Sequence, residues 1–221
     1  MRLRPDFDEA LWLIQFIRER QPDGKFLLCA FKDKRPVLRR FLDNRDPNFD
    51  TEALRWLKQW ADGRHHIFYA VNAFTEKRAT AEFVRSSRLA HVDADNVRVP
   101  PPGPAPTLIV NTSPGNHQFI YELDAEVSGE EIEAINRKLT RLVGGDTGHS
   151  RAKLLRLAGT HNVKPDYDPT PLVTILRKNG PVHRARDLLG DAHEPVAEST
   201  AFEGVEELAR ALSADEIRKR Y

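Results

Sequence analysis

The chain is poor in the residues that build covalent or thiolate scaffolds. Its 221 residues include one cysteine, Cys29. That excludes a disulfide framework and a cysteine-ligated zinc site, and it suits a reducing, cytoplasmic setting. No apolar run approaches the ~20 residues needed to cross a bilayer, so no membrane is expected as a partner. The opening residues, Met1-Arg2-Leu3-Arg4-Pro5-Asp6, lack the apolar core of a secretory signal. Internal repeats are absent, and low complexity is confined to Pro100-Pro101-Pro102-Gly103-Pro104-Ala105-Pro106, a stiff connector unsuited to the middle of a sheet. An excess of charge of one sign is lacking too. Lys and Arg number 34, Asp and Glu 33, and the net charge is +1. The whole is therefore no polycation, and any affinity for nucleic acid depends on where the charge lies.

The length suits one sizeable domain, or one domain with a small appendage. Residues 7–20 carry Phe7, Leu11, Ile14 and Ile17 at helical spacing. A strand is expected at 26–31, and 35–42 reads as either helix or strand. A helix is expected from 50 to 62, stopped by Gly63, and a strand at 67–74. A short helix is expected at 80–84 and a strand at 89–92. Residues 107–113 and 117–123, joined by Ser113-Pro114-Gly115-Asn116, read as a β-hairpin. Ser128 is a candidate N-cap for a helix running to 142, broken by Gly144-Gly145. Residues 150–157 read as a short helix, which would put Lys153 and Arg156 on one face. A strand follows at 171–176, and 201–221 reads as a charged helix. Strands, helices and hairpins mixed in this way argue for an α+β or mixed α/β domain. About six strands are enough for a single sheet flanked by helices.

Within this pattern Asp93 and Asp95 stand one residue apart at the end of an apolar run, Leu89-Ala90-His91-Val92. On a strand both would point the same way. Two carboxylates held together are costly without a positive charge between them, and a hard divalent cation, Mg²⁺ or Mn²⁺, is the usual solution. The other reading is a pair of solvated aspartates in a turn before the proline tract. Basic runs at 32–40, 85–88, 137–141, 151–156 and 177–186 each suit an ordinary solvated face. Together, around an acidic centre, they would suit a polyanionic substrate.

Three segments occur in a telling order. Asp93-x-Asp95 follows an apolar strand. Thr112-Ser113-Pro114-Gly115-Asn116-His117-Gln118 is a small-residue turn leading to a histidine. Gly145-Asp146 precedes Arg156-Leu157-Ala158-Gly159-Thr160-His161-Asn162-Val163-Lys164. This series resembles the archaeo-eukaryotic primase superfamily, in particular the primase-polymerase domains of plasmid and phage replication proteins. The family carries a strand-borne Asp-x-Asp or Asp-x-Glu, a small-x-His turn and a later acidic residue. The resemblance covers about residues 85–165. It implies an α+β fold, with a mixed or antiparallel sheet flanked by helices. The catalytic core would be RRM-like with an N-terminal α/β part, spanning 1–190, and 191–221 a polar linker and helical tail.

By the same resemblance, Asp93, Asp95 and Asp146 are the catalytic carboxylates and hold two divalent cations, Mg²⁺ or Mn²⁺, about 4 Å apart. Asp124 and Asp166 are rivals for the third acid. The family often has an apolar residue before this acid; here it is Gly145. Ser113, His117, Arg156, Asn162 and Lys164 are the implied nucleotide-binding residues, Arg156 and Lys164 having the chemistry for phosphate. Trp12, Trp56 and Trp60 read as core. The implied activity is primer synthesis or extension from nucleoside triphosphates on a single-stranded DNA template, with a replicative helicase as companion. Two other classes stay open. One is a non-catalytic DNA-binding module of the same fold. The other is a different Asp-x-Asp enzyme, such as a sugar-nucleotide transferase or a nuclease. Adjacent His65-His66 lacks the His-x-His spacing of a rolling-circle nicking enzyme.

Overall fold

Local signals set the helices. In the computed structural model, which describes residues 3–21, 23–32 and 35–190, helix α1 (Phe7–Arg20) begins where the Asp6 carboxylate accepts the Glu9 N–H at 2.9 Å. Acidic residues sit in its first turn and basic ones in its last, matching the helix dipole. Helix α2 (Phe49–Trp60) buries Phe49, Ala53, Trp56 and Leu57. Helix α3 (Gly129–Val143) opens with a full capping box. Ser128 Oγ accepts from Glu131 N–H, and Glu131 accepts from Ser128 N–H. It ends at Gly144, whose φ of 76° is the left-handed cap. A short α4 (Ala185–Leu189) follows late in the chain.

The strands form two sheets rather than the single sheet expected. The first has the order β2 (Arg35–Asp43), β1 (Lys25–Lys32), β3 (His66–Ala70), β7 (Leu154–Arg156), all antiparallel. The second has the order β4 (Ser86–Ala94), β6 (Asn116–Ser128), β5 (Leu108–Ser113), β8 (Thr174–Arg177). Beside β6 runs the short parallel β9 (Val182–His183). The expected hairpin is β5–β6, and 35–42, open between helix and strand, is β2. Residues 150–157, expected to be helical, instead turn and enter β7. Leu154, Leu155 and Arg156 pair with Ala70, Tyr69 and Phe68, completing an edge of β3 that a helix would leave unpaired.

The core is layered by strand alternation. Ala90, Val92 and Ala94 face α3 and join Ile132, Ile135 and Leu139 in one cluster. Leu89, Leu108, Val110 and Ile120 face the other way. They meet α1, α2 and the first sheet's Phe26, Leu28, Tyr69 and Leu155. A third cluster, including Leu27, Cys29, Ala70, Phe74 and Val84, covers part of the first sheet's outer face. The expected linker and tail at 191–221 lie outside the described residues. No helix among the described residues is long and apolar enough to cross a membrane.

Replacing Ser128 by Ala removes the hydroxyl half of the capping box. The expected loss is about 1 kcal/mol of unfolding free energy, read as a lower urea midpoint with an unchanged slope.

Candidate active site

The end of β4 sets the site. Asp93 pairs across the strands with Gln118, and Ala94 with His117. Alternation then sends Asp93 and Gln118 to one face, and Ala94 and His117 to the face covered by α3. Asp93 is half-buried, and Asp95, just past the strand end, is exposed. Lys153 Nζ lies 3.1 Å from Asp93 Oδ2, supplying one positive charge at the acid pair.

Asp146 reaches the same place through the backbone. Its N–H donates to the Asp93 carbonyl at 2.9 Å, so the chain leaving α3 runs along the outer edge of β4. Gly145 makes this approach possible. A Cβ there would stand 2.7 Å from Val92 Cγ1 and 2.8 Å from the Asp93 carbonyl oxygen. Gly145 is thus what lets Asp146 come alongside Asp93. The same edge is anchored about two turns back in α3, where Asn136 Oδ1 accepts the His91 N–H at 2.8 Å. His91 is fully buried, and burial first, then the charges of Lys153 and His149, push its imidazole down to about 3, so it stays neutral.

A cleft of about 150 Å³ opens over these groups. Asp93, Asp95, Asp146, Ser113, Arg156, Asn162 and Lys164 all line it, together with Phe68, Thr112, Asn116 and Gln118. The rival acids Asp124 and Asp166 are exposed and do not line it. Among the expected site residues, His117 stands apart. It is buried on the α3 face, its ring stacked 6.0 Å from Phe119, and burial pushes its imidazole below the ordinary value against a hydrogen bond to the Val97 backbone. The cleft position expected for the histidine is held by Gln118, one residue on.

Gln118 has a defined task. With its amide turned so that oxygen meets donor, it accepts from the Arg156 N–H at 2.8 Å and donates to the Arg156 carbonyl at 3.1 Å. This joins β6 to β7, and so one sheet to the other. The Arg156 guanidinium lies over the Phe68 ring, 4.8 Å from its centroid, and donates to His66 Nδ1 at 2.8 Å. Burial lowers its basicity, and the charges of Asp93, Tyr167 and Asp95 act in the opposite sense.

The far wall comes from the 157–164 loop. Gly159 has φ 76°, and a Cβ there would meet the Asp6 carbonyl oxygen at 2.0 Å, so only glycine seats the loop under the start of α1. Thr160 Oγ donates to the Leu157 carbonyl at 2.7 Å, tightening the turn. Asn162 Nδ2 donates to the Thr112 carbonyl at 3.1 Å, and its buried Oδ1 has no partner among the described residues. Ser113 Oγ is held by Tyr167, whose hydroxyl donates to it at 2.8 Å, and by Asn116 at 2.9 Å. Gln118, Phe68 and Tyr167 were not among the expected residues. Phasing β6 against Asp93 would have exposed Gln118. Phe68 and Tyr167 lack a local signal in the sequence.

The model of the RepB DNA-primase N-terminal domain family matches residues 59–187. Among solved structures, the AEP domain of the Cyanophage S-2L primase-polymerase superposes with a TM-score of 0.64 at 12% identity, covering 85% of this chain and 98% of that one. The catalytic domain of primase RepB′ in complex with initiator DNA gives 0.58 at 20% identity, covering 93% and 100%. Primase RepB′ gives 0.59 at 19% identity, covering 95% and 67%. These likenesses establish a common fold. No curated protein matches the chain.

Replacing Gln118 by Leu strips both Arg156 backbone groups of their partners. The expected cost is about 2 kcal/mol in urea unfolding, whereas replacing exposed Lys164 by Gln leaves the midpoint within about 0.5 kcal/mol.

Proposed function

Because the chain belongs to the RepB DNA-primase N-terminal domain family, we propose that it is a replication primase whose cleft joins nucleotides on a single-stranded DNA template. The observation that carries this reading is convergence. Residues from three separated motifs, Asp93 and Asp95, Ser113, and Asp146 with Arg156, Asn162 and Lys164, line one cleft. Three carboxylates facing two cations and several amide and hydroxyl groups form an unusual lining, suited to a metal-bound polyphosphate.

The donor set fits a hard cation. Asp93 and Asp95 offer oxygen ligands from one strand end, and Asp146 lines the same cleft. Asp93, Asp95 and Asp146 would supply carboxylate oxygens to Mg²⁺ or Mn²⁺, the remaining positions falling to substrate phosphate and water. When bound, the ion offsets charge on the transferring phosphoryl group. The chain's own residues do the rest. Lys164 and Arg156 attract the triphosphate, the Arg156 guanidinium being fixed by Phe68 and His66. Ser113 and the free Oδ1 of Asn162 orient polar groups of the nucleotide. Lys153 holds Asp93 in place. His117 is left out of the nucleotide set because its ring faces α3. The catalytic unit is taken to end near residue 190, and a replicative helicase is the expected companion.

One observation favours a second reading, a non-catalytic single-stranded-DNA-binding module: Lys153 Nζ lies 3.1 Å from Asp93 Oδ2, so the chain itself supplies a cation to that acid. The test is primer synthesis by the purified chain with template, nucleotides and Mg²⁺ or Mn²⁺. Asp93→Asn with Asp95→Asn is expected to lower incorporation by about 10²–10⁴-fold, as chelation by EDTA should. Incorporation unchanged by the double substitution sinks the catalytic reading. Template binding without any incorporation marks the second.

A further inference from the structure

We propose that the groove between β2 and α2 is a second binding site, for single-stranded nucleic acid, outside the catalytic cleft. The proposal rests on the nucleic-acid reading of the cleft and extends it to a surface that reading does not use. β2 is the outer strand of the four-stranded sheet, and residues 35–40 are exposed. Between it and α2 lies an open groove of about 350 Å³, lined by Arg39, Arg40, Arg55, Trp56 and Trp60, with Glu52 as its carboxylate. Arg40 takes up Glu52 at 2.5 Å. Arg39 and Arg55 have no carboxylate partner among the described residues, so the groove keeps a positive surplus.

Edge strands commonly carry basic residues that deter pairing with another chain. That use accounts for Arg39 and Arg40. It leaves unexplained Arg55, which sits on the helix, and the partly exposed Trp60 indole. Trp56 and Trp60 stack with centroids 6.4 Å apart and planes 29° apart. Trp60 is partly exposed. Trp56 is only 6% exposed, yet its Nε1–H has no acceptor among the described residues. A buried indole N–H normally has a partner. Guanidinium forks for phosphate, the partly exposed Trp60 face for a base and the spare Trp56 donor together describe a single-strand track. An acidic peptide would satisfy the arginines and leave the indoles idle.

The experiment titrates a labelled oligothymidylate of about 12 nucleotides, within the usual site sizes of such tracks, against the full chain at several salt concentrations. The Arg39→Glu, Arg55→Glu variant is expected to bind about tenfold or more weakly, with the salt slope reduced by about 1.4 for two lost phosphate contacts. Its incorporation at saturating primed template should match the wild type, with a raised KM for DNA. Trp60→Phe should lose part of the indole quenching that the oligonucleotide causes. Arg39→Gln with Arg55→Gln, showing the same loss in smaller measure, guards against a fold disturbed by reversed charge. Affinity and salt slope unchanged in both arginine variants overturn the proposal. So does a wild-type chain that fails to bind, or equal displacement of the oligonucleotide by polyglutamate. Asp93→Asn with Asp95→Asn separates the two readings, because it tests incorporation and leaves groove binding intact.

Discussion

Two hydrogen bonds between the Gln118 amide and the backbone of Arg156 tie the two sheets together at the cleft. Elsewhere the sheets meet largely through apolar side chains, which fix distance but tolerate sliding. A side-chain amide that satisfies one donor and one acceptor of a single residue fixes register as a strand would. Gln118 sits opposite Asp93 on β6, and Arg156 sits opposite Phe68 on β7. The clamp therefore sets where the guanidinium stands relative to the carboxylates, and the remaining walls are built around that alignment.

Electrostatics at the cleft are arranged by backbone contacts as much as by charges. Asp146 is drawn in through its N–H, and Gly145 permits this by having no side chain to collide with Val92. Lys153 and Arg156 come from a turn and a short strand whose other duty is to complete the first sheet. The acids are thus offset by cations that the sheet itself holds in place. The cleft carries charge of both signs, which suits a substrate with a phosphate tail and an associated cation.

Helices α1 and α3 were legible because their determinants are local. Asp6 and Ser128 as caps, Gly144 as a stop and apolar spacing between them all act within a few residues. The acidic strand end and most of the cleft lining were legible through motif order. What escaped the sequence was non-local. Residues 150–157 carry a helix-like pattern, yet the open edge of β3 captures them. That Gln118 rather than His117 lines the cleft was hidden because strand phase depends on pairing with β4, and a one-residue shift reverses every side chain. The split into two sheets likewise follows from partners far apart in the chain.

The late arrival of β7 has a consequence for synthesis on the ribosome. β3 ends at Ala70, but its partner on that side begins at Leu154, about 84 residues later. At translation rates of about 5–20 residues per second, the nascent first sheet keeps an open apolar edge for about 4–17 s. For that interval it offers a template for stray strands of neighbouring chains. The interval closes when the segment bearing Lys153 and Arg156 emerges, so the nascent chain loses its aggregation-prone edge as it gains the cations of the cleft.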